Sequence, residues 1–197
     1  MDTIVLILIL LTAFNFLLKQ TFWKPVAVGA AAGIATIFVI LLGPYAIEQS
    51  KTQIADWLSD NQLMLDTSVV LTLEIVVQMA VHVANYSPVK NRMIVAYRLF
   101  YLFPGVLIIP VLFFGLTQAI FSFPGVSFKL IAWLFGLFVF VVIPLGRWLI
   151  KWLLPEEDLR LELFFLTNAL VAILGIIATV NGRTAVEGVG DVDWSAL

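Results

Sequence analysis

Six stretches of this chain stay apolar for about the length a helix needs to cross a bilayer, roughly 20 residues. They run 3–18, 26–47, 67–84, 93–121, 128–154 and 161–180. The fold class expected is therefore all-α: a polytopic membrane protein of six transmembrane helices over 1–182, with a polar, exposed tail over 183–197. The first stretch is short and interrupted by Thr12 and Asn15; Lys19, Trp23 and Lys24 follow as interfacial anchors. The second has small residues at Gly29, Ala32, Gly33 and Thr36, a face that suits close helix packing. In the loop 48–65, Ile54, Trp57 and Leu58 have helical spacing, which suits a segment lying on the membrane surface. The fourth stretch holds Pro104-Gly105 and Pro110, and proline lacks a backbone donor, so a kink or break is expected there. Trp148 and Trp152, near the end of the fifth, read as belt residues.

The third stretch departs from the pattern. It carries Glu74, Gln78 and His82 at steps of four, which on a helix puts a carboxyl, an amide and an imidazole on one face. Such groups are costly in hydrocarbon and face a protein interior or a wet cavity. Two readings stay open. In one, the stripe is a proton or cation path, with Asp66 as its outer mouth. In the other, it is interhelical glue, bonded to Asn15, Thr36, Tyr97 or Asn168, and Asp66 is only a helix-start charge. Arg98 and Arg147, just inside span ends, either snorkel to headgroups or pair with Glu162. The run Glu156-Glu157-Asp158 reads as a solvated helix start.

Composition sharpens the class. The chain is 62% hydrophobic and 12% charged, about half the charge of an average soluble domain. A net charge of -2 gives no reason to expect nucleic acid. The absence of cysteine excludes disulfides, thiolate metal sites and thiol catalysis by this chain alone. One His gives too few converging ligands for a transition-metal site, although a single His can hold haem, so neither metal nor cofactor is expected. No phosphate loop, nucleophile elbow or His-rich motif is present, and the chain is not expected to be an enzyme. The start, Met1-Asp2-Thr3, lacks a basic region, so the first apolar run is expected to stay in the mature protein.

Orientation follows from Lys and Arg. Lys19, Lys24, Lys90, Arg92, Arg98, Arg147, Lys151 and Arg160 lie on one side of the six spans; Lys51, Lys129 and Arg183 lie on the other. The positive-inside rule puts both termini outside, which in a bacterial inner membrane is the periplasm. Six spans with both ends on one side divide into two three-span halves of opposite orientation, an arrangement that places working sites at the interface of the halves. Phe123-Pro124-Gly125-Val126 echoes Phe103-Pro104-Gly105-Val106.

This layout, over about residues 3–182, resembles the six-span small membrane subunits of the Rnf and Nqr ion-pumping electron-transfer complexes. The likeness lies in Asn15-Phe16-Leu17-Leu18 with Lys24-Pro25, in 33–39, and in Val76-Val77-Gln78 with Ser87-Pro88-Val89 and Arg92. In that family a cysteine in each broken span binds an iron–sulfur centre between two such subunits. Here the matching stretches hold none, so the resemblance implies the fold without the electron transfer.

The function expected is a non-enzymatic integral inner-membrane subunit of an ion-motive-force-linked complex. It supplies a proton or cation path or a partner-docking surface, with the lipid bilayer and other membrane subunits as partners. The alternative is a small secondary transporter or permease component for a metal, haem-type or organic solute, energised by an ExbB/TolQ-type channel. A third class, a structural assembly factor, predicts that Glu74→Gln and His82→Ala leave the activity of the complex intact.

Overall fold

The computed structural model describes residues 2–48, 66, 69, 70, 72–80 and 105–187, all in helices or the short turns between them. The helices are α1 (Asp2–Gln20), α2 (Pro25–Glu48), α3 (72–80), α4 (Ile108–Ser122), α5 (Phe128–Leu153) and α6 (Glu157–Glu187). His82, Tyr97, Arg98, Trp57 and the turn 87–92 lie outside the described residues.

Among the described residues, three helices are long and apolar enough to cross a membrane: Pro25–Ile47, Phe128–Leu153 and Glu157–Ile177. Two shorter apolar helices, Leu6–Gln20 and Ile108–Ser122, accompany them. Large apolar side chains also face outward, among them Ile37, Leu41, Trp133, Leu137, Trp148 and Trp152. A surface so rich in exposed hydrocarbon is unfavourable in water and at home in a bilayer, which fits a membrane protein.

The helices begin and end where local chemistry dictates. After α1 the chain tightens through amides of Thr21, Phe22 and Trp23 donating to carbonyls three residues back, at 3.0 to 3.2 Å. Pro25 then opens α2, where a missing N–H costs nothing. Pro110 sits in the first turn of α4 on the same terms. The described part of the fourth apolar stretch opens at Gly105, whose φ of 104° belongs to the left-handed region. Between α4 and α5, Pro124 and Gly125 (φ 94°) make a tight turn closed by Val126 N–H donating to Phe123 O at 3.3 Å. Glu157 and Asp158 occupy the first turn of α6, where the helix dipole favours negative charge. That helix runs past Val180 to Glu187.

The main packing is α2 along α5. Thr36 Oγ donates to Ala32 O at 2.8 Å and to Gly136 O at 3.1 Å, crossing from one helix to the other. A Cβ at Gly136 would sit 3.3 Å from the Thr36 methyl, and one at Gly43 would sit 3.2 Å from Ala132 Cβ. The small residues at this contact are thus Ala32, Thr36 and Gly43 with Ala132 and Gly136. Gly29 and Gly33, expected on the same face, meet nothing within 4 Å. On the helix Gly33 lies about 80° off the line through Ala32, Thr36 and Gly43. Gly29 is only about 40° off it, but lies near the helix start and is exposed.

On the other side, α1 packs on α6 through Leu18 and Phe164, with Phe22 edge-on to Phe164 at 6.1 Å. Ile75 of α3 packs with Val171 of α6, joined by Leu8, Leu11, Met79 and Leu107. The helix α3 is therefore held among α1, α6 and the start of α4.

Candidate functional site

The helix α3 turns Glu74, Ile75 and Gln78 inward and leaves Leu73, Val76 and Ala80 exposed. This is the face that a step of four defines. Glu74 is 9% exposed. Its Oε2 accepts hydrogen bonds from Val106 N–H and Leu107 N–H, both at 2.8 Å, and its Oε1 accepts one from Gln78 Nε2 at 2.6 Å. Leu107 is the N-cap of α4 and its side chain offers no cap. The Glu74 carboxylate, from another helix, takes instead the two amides that immediately precede the first turn, Val106 and Leu107. Carboxylates suit helix N-termini because the free amides and the dipole both favour negative charge. Each such charge-assisted bond contributes about 1.5–3 kcal/mol.

Gly105 makes this approach feasible. A Cβ there would overlap Glu74 Oε1 and come within 3.1 Å of Gln78 Nε2. So glycine answers two requirements at once, a left-handed backbone and a carboxylate pressed against it.

The counter-charge comes from α1. Lys19 is 2% exposed and its ammonium attracts Glu74. The interfacial anchor expected at Lys19 is therefore corrected: the side chain is buried, as is that of Trp23. Isolated charges are too costly to bury, so each makes the other tolerable. With Thr12 and Asn15, Lys19 completes a buried polar line on α1 at steps of three and four. Gln20 beside it is also fully buried, and neither its Oε1 nor its Nε2 has a hydrogen-bond partner among the described residues.

A second polar contact lies along the same line. Asn15 Nδ2 donates to Asn168 Oδ1 at 3.0 Å, and Asn168 Nδ2 donates back to Asn15 Oδ1 at 3.3 Å. Thr167 Oγ donates to the same Asn15 oxygen at 3.2 Å. So Asn15 and Asn168 are brought to each other, while Gln78 bonds Glu74 and Glu74 meets the backbone at 106 and 107. Asp66 is helical and exposed. No group of three or more His, Asp or Glu suited to a metal ion occurs among the described residues.

Two arginines act as braces. Arg147 of α5 donates through Nε to Gln20 O at 3.2 Å and through Nη2 to Trp23 O at 3.0 Å. The snorkelling or Glu162 pairing expected of Arg147 is replaced by capping of α1, and Glu162 itself is exposed. Arg160 Nη1 likewise donates to Leu154 O at 2.7 Å and Pro155 O at 2.8 Å, closing the end of α5.

Beside the cluster, a cavity of about 450 Å³ opens between α1, α2 and α4. Phe16, Trp23, Ala31, Phe38, Gly105 and Leu112 are among its walls, which are apolar throughout. Alanines on α2 leave the space that larger side chains would fill.

Sequence reasoning found Glu74 and Gln78 from their spacing alone. It missed Lys19, although Thr12, Asn15 and Lys19 carry a helical polar spacing of their own. The backbone donors at 106 and 107 had no side-chain signal. Comparison with protein-family models, with curated proteins and with solved structures finds no match.

Proposed function

We propose that this protein is a non-enzymatic integral membrane subunit of an ion-motive-force-linked complex, and that its ion path passes through Glu74. The observation that carries this reading is a buried carboxylate held at the start of α4, together with a buried lysine, inside a bundle of apolar helices. Buried ionisable groups inside membrane bundles are costly and belong by default to ion or proton pathways. Discontinuous helices are the places where membrane transporters put such groups. The wide apolar exterior offers surface to lipid and to partner helices. The site is the bacterial inner membrane on this reading, with both termini in the periplasm.

The proposal includes six spans in two inverted halves. Each half begins with a short helix, a tight turn and a long helix: 19 and 24 residues for α1 and α2, 15 and 26 for α4 and α5. The long helices pack on each other, α1 packs on α6, and α3 meets the start of α4. An exchange of the two halves relates those last two contacts.

The deciding experiment is purification in mild detergent with identification of co-purifying chains. A stoichiometric partner whose ion-driven activity is lost with Glu74→Gln supports the reading; a partner complex that stays fully active with Glu74→Gln overturns it and favours an assembly role. A second reading, a small transporter component for an apolar or amphipathic solute, is favoured by the half-open cavity beside Gly105. It predicts a stable, solute-binding monomer with no partner chain.

A further inference from the structure

The ion path through Glu74 leaves its ion unnamed, and the atoms around the carboxylate bear on that choice. Resting on that reading, we propose that the ion handled at Glu74 is the proton and not a metal cation.

Among the described residues, every hydrogen bond that the carboxylate accepts comes from an N–H: Val106 and Leu107 on Oε2, Gln78 on Oε1. A bound cation needs the opposite surroundings, a shell of converging oxygens, six to eight of them for calcium and a near-octahedral set for magnesium. Broken-helix transporters coordinate Na⁺ with unwound carbonyls and helix C-terminal ends. The helix end at Glu74 is an N-terminus, which carries partial positive charge and repels a cation. Lys19 adds a full positive charge to the same place. Gly105 closes the approach to Oε1, where not even a Cβ would fit.

Lys19 and the amides oppose a proton as well, by favouring the ionised carboxylate, but a proton needs no coordinating oxygens. It takes one lone pair on one oxygen and no shell. The charged group that Glu74 feels among the described residues is Lys19 of α1. From α4 it meets backbone amides, and α6, packed on Ile75 through Val171, brings the uncharged Thr167 and Asn168 to the neighbouring polar contact. The proton adds to one carboxylate oxygen and Glu74 becomes neutral. The buried Lys19 thereby loses the counter-charge that stabilises its ammonium. The new hydroxyl is a weaker acceptor than the carboxylate it replaces, and the bonds from 106, 107 or 78 weaken with it.

The test is infrared difference spectroscopy on the full chain in liposomes, with the buffer exchanged over the film. A step in pH at constant salt is expected to produce a protonated-carboxyl C=O band that Glu74→Gln removes. A step in Na⁺ or Ca²⁺ at constant pH is expected to produce no Glu74-dependent band. Lys19→Gln shifts the midpoint of the pH response by about one pH unit, as loss of a neighbouring opposite charge does. Glu74→Asp moves the band instead of removing it, which covers a glutamine variant that fails to fold. A saturable Na⁺ or Ca²⁺ band lost with Glu74→Gln overturns the proton assignment and leaves the ion path standing. Absence of any Glu74-dependent band, for either step between about pH 4 and pH 10, overturns both.

Discussion

Asn15 and Asn168 exchange two amide hydrogen bonds across 153 residues of sequence, at 3.0 and 3.3 Å. Asn168 is fully buried and also donates to Phe164 O at 2.7 Å, so its orientation is fixed from its own helix. This contact is the polar centre of the α1–α6 interface. Interhelical bonds of this kind contribute about 0.6 kcal/mol on average and up to about 1.7. Asn15→Leu and Asn168→Leu are each expected to lower stability by about 1 kcal/mol in a mixed-micelle unfolding titration. The double variant is expected to cost less than the sum; strictly additive losses would show that the pair does not act as a unit.

Gly105 and Gly125 share a left-handed backbone and differ in surroundings. A side chain at Gly125 meets open space, whereas one at Gly105 meets Glu74 and Gln78. Alanine in the left-handed region costs about 1–2 kcal/mol. Gly125→Ala should lose about that much, and Gly105→Ala clearly more, because the clamp on α4 must also open. Equal losses in parallel unfolding curves would mean that the carboxylate gives way freely.

Replacing Arg147 removes two bonds to backbone carbonyls from one guanidinium. Arg147→Gln is expected to destabilise by about 1.5–3 kcal/mol, the range for hydrogen bonds made by charged donors. Arg147→Lys should recover little of it, since an ammonium lacks the planar fork that reaches two oxygens at once. Full recovery by lysine would indicate that charge alone matters.

Bulk at the α2–α5 contact is a further test. Gly136→Leu places side-chain atoms where Thr36 and Ile40 already sit, and should prevent folding or lower the yield of folded protein severalfold. Gly29→Leu and Gly33→Leu point into free space and should be tolerated. Size-exclusion profiles in detergent separate the two outcomes.

How much of this could be read beforehand varies from element to element. The second and fifth stretches were expected at 26–47 and 128–154, and the helices run Pro25–Glu48 and Phe128–Leu153. Those ends are legible because an unbroken apolar run meets a proline or a charged turn. The inward turn of Glu74 and Gln78 was equally legible, since period alone sets a helix face. Partners were not. A lysine closing an apolar run looks the same whether it reaches a headgroup or a buried acid, and only the position of α3 decides for Lys19. The small-residue face failed at Gly33 for a similar reason: periodicity gives several candidate stripes, and the neighbouring helix selects one. Gly29 shares the selected stripe but meets no neighbour near the helix start.

The two bonds from Arg147 have a consequence for how the protein is made. Their acceptors on Gln20 and Trp23 precede it by 127 and 124 residues. A ribosome therefore releases the opening hairpin long before the guanidinium that ties its bend exists. Until the fifth helix has entered the bilayer, that corner must rely on water or headgroups for its carbonyls, so the first two helices are delivered early and locked late.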